Sequence, residues 1–287
     1  MEAQPLECVA QPQEPTKIWN AMFLSIFFAN MAMNLGMFMS NSLLSVYADS
    51  LGASSVVVGM LVSTFAVSAI LFRLIAAPLM DTYNRKYIVI IAMITLAVSF
   101  FGYSLSRNVP GLMAFRLLQG AGMAFGNACC LAMVSETLPK AQYGTGIGYY
   151  SLAQVVSSAI GPSIGLCLVS LVGYSWTYVV NACILLIAAV LASRIRIHFR
   201  RTKRFRLTWS GMIAREALLP TFLLLFLSMG MAAVNSFLIL FANENGMCKH
   251  VGLYFTVSAL TMVFTRPIVG KLTDKFGLVK VWVPALL

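Results

Sequence analysis

The sequence predicts an all-α protein built inside a lipid bilayer, and three observations predict it. Hydrophobic residues make up 60% of the chain and charged residues 10%, with a mean hydropathy of +0.85. The apolar residues gather into windows of about 20 or more, the length that crosses about 30 Å of hydrocarbon. Two parts of the chain, a little under two hundred residues apart, repeat one another. A soluble domain needs far more polar surface than this. Helices are the expected spanning form because each satisfies its own backbone polar groups.

Eight windows run near 18–47, 55–79, 87–105, 110–136, 143–171, 174–194, 217–242 and 250–270, and a ninth begins near Val279. In the first, Asn30, Asn34, Asn41 and Ser45 step by four, seven and four, which places three carboxamides on one stripe. The third and sixth (Tyr87 to Leu105, Ser175 to Ala192) are apolar almost all round and are expected to face lipid. The fourth repeats the polar pattern with Arg116, Gln119, Met123 and Asn127. Tyr150 and Gln154 add to it from the fifth, and Asn235 from the seventh. Polar groups at membrane depth are costly unless they meet a partner or a water-filled cavity. A single asparagine serves equally well to bond two helices together. Three polar stripes point instead to one shared interior space, lined by Asn30, Asn34, Asn41, Arg116, Gln119, Asn127, Tyr150, Gln154 and Asn235.

Charge places these windows in the membrane. The net charge of +11 could suggest a nucleic acid partner, but Lys17, Arg85, Lys86, Lys140, the run from Arg194 to Arg215, Lys271, Lys275 and Lys280 all fall on one side if the N-terminus is cytosolic. Only Arg107 and Lys249 fall on the other side. The expected organisation is a disordered cytosolic tail at 1–16, a six-helix bundle at 17–193, a basic cytosolic linker at 194–216 lying against anionic lipid, and a partial second bundle at 217–287. A multi-pass protein of the plasma membrane, acting as a monomer without nucleic acid, is expected. Cys129, Cys130, Cys167 and Cys183 are expected to be packed inside helices. No metal, redox or nucleophile spacing occurs, so neither a cofactor nor enzymatic activity is expected.

Asn41 to Gly52 matches Asn235 to Gly246 at five positions, with an offset of 194. Gly59 then recurs as Gly252, Arg73 as Arg266, Leu79 as Leu272 and Asp81 as Asp274, each 193 places on. A membrane protein of two repeated halves can enclose a central site that opens to either side in turn.

Two loops in register with this repeat carry a family resemblance. Ala77-Pro-Leu-Met-Asp81-Thr-Tyr-Asn-Arg85-Lys86 and Gly270-Lys-Leu-Thr-Asp274-Lys-Phe-Gly277 resemble the loop signature of the major facilitator superfamily, Gly-x-x-x-Asp-x-x-Gly-Arg-Lys. The first copy departs at Ala77 and Asn84, and the second has Leu278 and Val279 where the basic pair belongs. Arg116-Leu-Leu-Gln119-Gly120 is similar to the family's Arg-x-x-Gln-Gly motif. Gly148, Ser157, Gly161-Pro162 and Gly165 fall at the spacing seen in its exporting, proton-antiporting members, with Ser157 and Leu166 replacing two glycines.

The resemblance implies the major facilitator fold, two six-helix bundles rocking about a solute site. This chain would supply a complete first bundle and the start of a second, as a truncated member. It further implies gating or coupling roles for Arg73, Asp81, Arg85, Lys86, Gly161, Pro162, Gly165, Arg266 and Asp274, and proton coupling through Arg116. The two acids would act as latches, Asp274 against residues 140–146 and Asp81 against an eleventh helix beyond this chain. The implied function is export of a small drug or metabolite in exchange for protons, as in efflux permeases. The rivals are a proton-coupled importer of sugars or organic acids, an inactive fragment, and a membrane protein that does not transport.

Overall fold

A computed structural model describes residues 17–194, 218–219, 221–230, 248–278 and 280–281. The tail at 1–16, most of the basic linker, Asn235 and the start of a ninth helix at Val279 lie outside the described residues.

Three of the helices start where an asparagine cap meets an apolar run. Helix α1 (Ala21–Ser50) opens on Asn20, whose side chain accepts from the Phe23 amide at 2.7 Å. Helix α2 (Ser55–Thr82) follows a turn in which Gly52 holds φ of 81°. Helix α3 (Arg85–Leu105) is capped by Asn84, and α4 (Val109–Thr137) by Asn108 with Pro110 in its first turn. A 3₁₀ turn at Lys140–Gln142 leads into α5 (Tyr143–Ser193), whose two limbs meet at Gly173 and correspond to the fifth and sixth windows. Thr221–Gly230 forms a short helix, α6, inside the seventh window. Helix α7 (Cys248–Phe276) begins 193 places after α2 does, so the repeat read from residues also holds for helix starts.

Five of these helices are long and apolar enough to cross a membrane. Side-chain contacts show that successive helices alternate in direction. Asn20 Nδ2 donates to the Thr137 carbonyl at 3.2 Å, and Arg85 bonds Glu136, so the start of α1, the α2–α3 turn and the end of α4 share one end. Lys17, Lys86 and Lys140 lie there too, and we call it the basic end. At the opposite end Tyr47 donates to the Ser106 carbonyl at 2.8 Å and stacks on Tyr174 with ring centroids 5.0 Å apart.

Helix α1 is held between the two limbs of α5. On one side Ser157, Gly161 and Gly165 form a flat strip: a Cβ on Gly161 would stand 3.0 Å from Phe38 Cβ, and Ser157 Oγ donates to the Met31 carbonyl at 3.2 Å. On the other side Asn181 donates to the Gly36 carbonyl at 3.2 Å. Helix α3, expected to face lipid, is two-sided. Its face through Tyr87, Ile91, Ile94, Val98, Phe101 and Leu105 is exposed, while the opposite face packs on α4 and α5. An apolar sequence suits lipid and a packed bundle equally, so composition could not separate them. The cysteines divide as well: Cys129 and Cys130 are buried, whereas Cys167 and Cys183 are exposed on the outer surface of α5.

Candidate functional site

The polar positions read as one lining separate into two groups by depth. The first surrounds a cavity of about 540 Å³ formed by α1, α2, α4 and α5. Asn30 and Asn34 face it from α1, Arg73, Ala76, Ala77 and Met80 from α2, Asn127, Ala128 and Leu131 from α4, and Ile147, Tyr150, Ser151 and Gln154 from α5. All these residues lie in the half of the bundle nearer the basic end. Asn34 Nδ2 donates to the Asn30 carbonyl at 2.8 Å and to Asn30 Oδ1 at 3.0 Å. Asn127 Oδ1 is buried without a partner. Arg73 is exposed and forms no ion pair among the described residues.

The second group lies nearer the other end. Arg116, 2% exposed, donates to Asn41 Oδ1 and to Gln119 Oε1, both at 2.7 Å, with Phe65 under its guanidinium at 4.9 Å. Tyr103 donates to the same Gln119 oxygen at 2.8 Å. Asn41, Arg116 and Gln119 therefore belong to a packed network and do not line the cavity. The reason is geometric. Eleven residues from Arg116 to Asn127 keep one helix face but travel about 16 Å along the axis, and seven from Asn34 to Asn41 travel about 10 Å. The guanidinium is neutralised by no carboxylate among the described residues; neutral oxygens and an aromatic face hold it in place. This network is the arrangement a structural role for Arg116 requires.

Of the expected gating residues, Asp81, Arg85, Lys86 and Asp274 fall at the basic end. Asp274 on α7 accepts from the Gly144 amide at 2.6 Å and from the Thr145 amide at 2.8 Å, and the Thr145 hydroxyl donates to it at 2.6 Å. A carboxylate thereby occupies the N-terminus of α5, where free amides and the helix dipole favour negative charge. Glycines allow this contact: a Cβ on Gly144 would meet Asp274 Oδ1 and the Gly270 carbonyl at 2.8 Å, and one on Gly148 the Arg266 carbonyl at 2.7 Å. Arg266 reaches across to the Ser151 carbonyl at 3.4 Å. Arg85 pairs with Glu136 and also donates to the Met80 carbonyl, holding the α2–α3 turn on α4. Lys86 opens α3 beside it. Asp81, half-buried, has no hydrogen bond or ion pair among the described residues. Pro162 follows Gly161 in α5 and does not line the cavity.

Sequence reasoning missed two features. Ser151, a cavity-lining hydroxyl one turn past Ile147, carries no signal of its own in the sequence. The bond from Ser68 Oγ to the Leu117 carbonyl at 2.5 Å, beside Gly120, joins α2 to α4 and was visible only in three dimensions. Among the described residues no cluster of His, Cys, Asp or Glu could hold a metal ion.

The sequence matches the family described as the Major Facilitator Superfamily over residues 26–287. It is 25% identical over 275 residues to the multi-drug resistance efflux pump PmrA of Streptococcus pneumoniae, covering 90% of this chain and 68% of that protein. It is 23% identical over 246 residues to an uncharacterized MFS-type transporter of Methanocaldococcus jannaschii, covering 82% of this chain and 64% of that one. A shorter match, 26% over 146 residues, is to the quinolone resistance protein NorA of Staphylococcus aureus, covering 51% of this chain and 38% of that protein. The chain thus spans about two thirds of the length of the first two relatives and less of the third.

Proposed function

The chain belongs to the Major Facilitator Superfamily, and we propose that it acts as a secondary transporter exporting a small organic solute by alternating access, with protons moving inward in exchange. One observation carries this reading: an open cavity of about 540 Å³ in an apolar bundle, where carboxamides from α1 and α4 and Gln154 from α5 stand among apolar side chains. Its size lies within the range of about 300–1,000 Å³ typical of small-molecule sites. Such a cavity is expensive to maintain in a membrane unless it holds water and solute.

Alternation needs a junction between halves that can part. The α5–α7 contact supplies one, built from glycine-lined backbone and the exposed Asp274 bonds. With the basic end toward the cytosol, as the distribution of Lys and Arg favours, this junction closes the inner side of the plasma membrane. The names of the pump and of the quinolone resistance protein support the outward direction, and so does the Gly161-Pro162 seam. Of the four acids in the described residues, Glu136 and Asp274 are engaged, so within the described residues Asp49 and Asp81 are the candidates to exchange a proton. The partners are the solute, protons and lipid; the carrier works as a monomer, without cofactor or covalent chemistry.

Flux of a fluorescent quinolone, a zwitterion that favours neither sign of charge, into proteoliposomes holding the full chain tests the proposal. Uptake driven by protons leaving the vesicle, and stopped by a protonophore, is the expected result. Uptake that follows protons inward means import instead, and no flux under either gradient sinks the transport reading.

A further inference from the structure

We infer that the cavity selects organic anions, with Arg73 as the residue that recognises the negative group. The inference rests on the reading of this cavity as the solute site. Among its described lining residues Arg73 is the only charged one; the rest are carboxamides, a phenol, a hydroxyl and apolar groups. Arg73 stands nine residues from the end of α2, about 14 Å into the helix. A guanidinium at that depth without an ion pair is costly unless it faces water or an anion, and its planar fork suits two oxygens of one carboxylate or phosphate.

A second cation lies on the same side. Arg266, the repeat partner of Arg73, bonds the carbonyl of Ser151, itself a lining residue. The nearby carboxylates do not neutralise these cations: Glu136 is taken by Arg85 and Asp274 by the start of α5. Asp81 follows the lining residue Met80 but sits eight residues beyond Arg73, about 12 Å farther along α2. The described cavity is therefore a net positive, amide-lined space. It penalises a cationic solute, which would bring like charge to an unpaired guanidinium.

The test uses three ligands with one ring system, naphthalene-2-carboxylate, naphthalene-2-carboxamide and naphthalen-2-ylmethylammonium, in equilibrium dialysis against the detergent-solubilised full chain at pH 7, with empty micelles as background. A hydrogen-bonded ion pair implies that the carboxylate binds at least about tenfold tighter than the amide, and that the ammonium binds most weakly. Arg73→Gln should level carboxylate and amide, Arg73→Lys should keep part of the preference, and Arg266→Gln should reduce it by less than Arg73→Gln does. A thermal melt of each variant shows whether it is folded, and the comparison of probes within wild-type protein stands without any variant. Equal binding of carboxylate and amide, or a preference for the ammonium, overturns the anion inference alone. Binding of none of the three overturns the solute-site reading and this inference together.

Discussion

Asp274 lies on an exposed turn of α7, yet its two oxygens accept three hydrogen bonds from the first turn of α5, across 129 and 130 residues of chain. A cap supplied by another helix does two things: it satisfies free amides at the start of α5 and fixes where α7 ends. The family resemblance implied a contact between this acid and residues 140–146, and the acid lies on Gly144 and Thr145. Replacing it should loosen the junction more than it unfolds the protein. Asp274→Ala is expected to cost about 1–2 kcal/mol of stability, read as a lower melting temperature in detergent, and to broaden the distance distribution between spin labels on α5 and α7. Asp274→Asn keeps an acceptor and should recover part of both. An Ala variant as stable and as narrowly distributed as wild type would mean that the cap contributes nothing. Arg116 illustrates the opposite case. Its motif was legible, and the i, i+3 spacing makes Gln119 its neighbour, but its partner Asn41 on another helix was not, since periodicity gives the angle around a helix and not what stands opposite it.

At the scale of elements, the most informative break is Gly173. Its φ of 78° and ψ of 171° fall where only glycine rests without strain, and nothing lies within 4 Å of the position a Cβ would take. Gly173→Ala therefore isolates backbone strain from packing and should destabilise the bundle by about 1–3 kcal/mol, measured by thermal unfolding, with the α1–α5 seam unchanged. An unchanged melting temperature would show that the break relaxes freely. The seam itself follows from sequence logic: Ser157, Gly161 and Gly165 recur every fourth residue, so one face of the first α5 limb is flat enough for α1 to lie close. The spacing gives a face of small residues, while the tertiary structure decides that α1 is the helix packed on it.

For the whole molecule, the contacts fix which helix ends share a side, and the charge pattern proposes which side is cytosolic. Two exposed positions at opposite ends, Tyr83 and Arg107, test that proposal. With the native cysteines replaced, Arg107→Cys should react with an impermeant maleimide on intact cells, and Tyr83→Cys only after permeabilisation. The reverse pattern would invert the topology. The sequence by itself determined the all-helical membrane class, the places of the first six windows and the internal repeat, because these depend on composition, window length and spacing along one chain; the family was legible through the resemblance of two short loops. Only the tertiary structure decided that Asn30, Asn34 and Asn127 share a cavity with Arg73 while Asn41, Arg116 and Gln119 close a separate buried network. Helical spacing sets the face of a residue, whereas depth along the bundle and the identity of the opposing helix arise from packing between segments far apart in the chain.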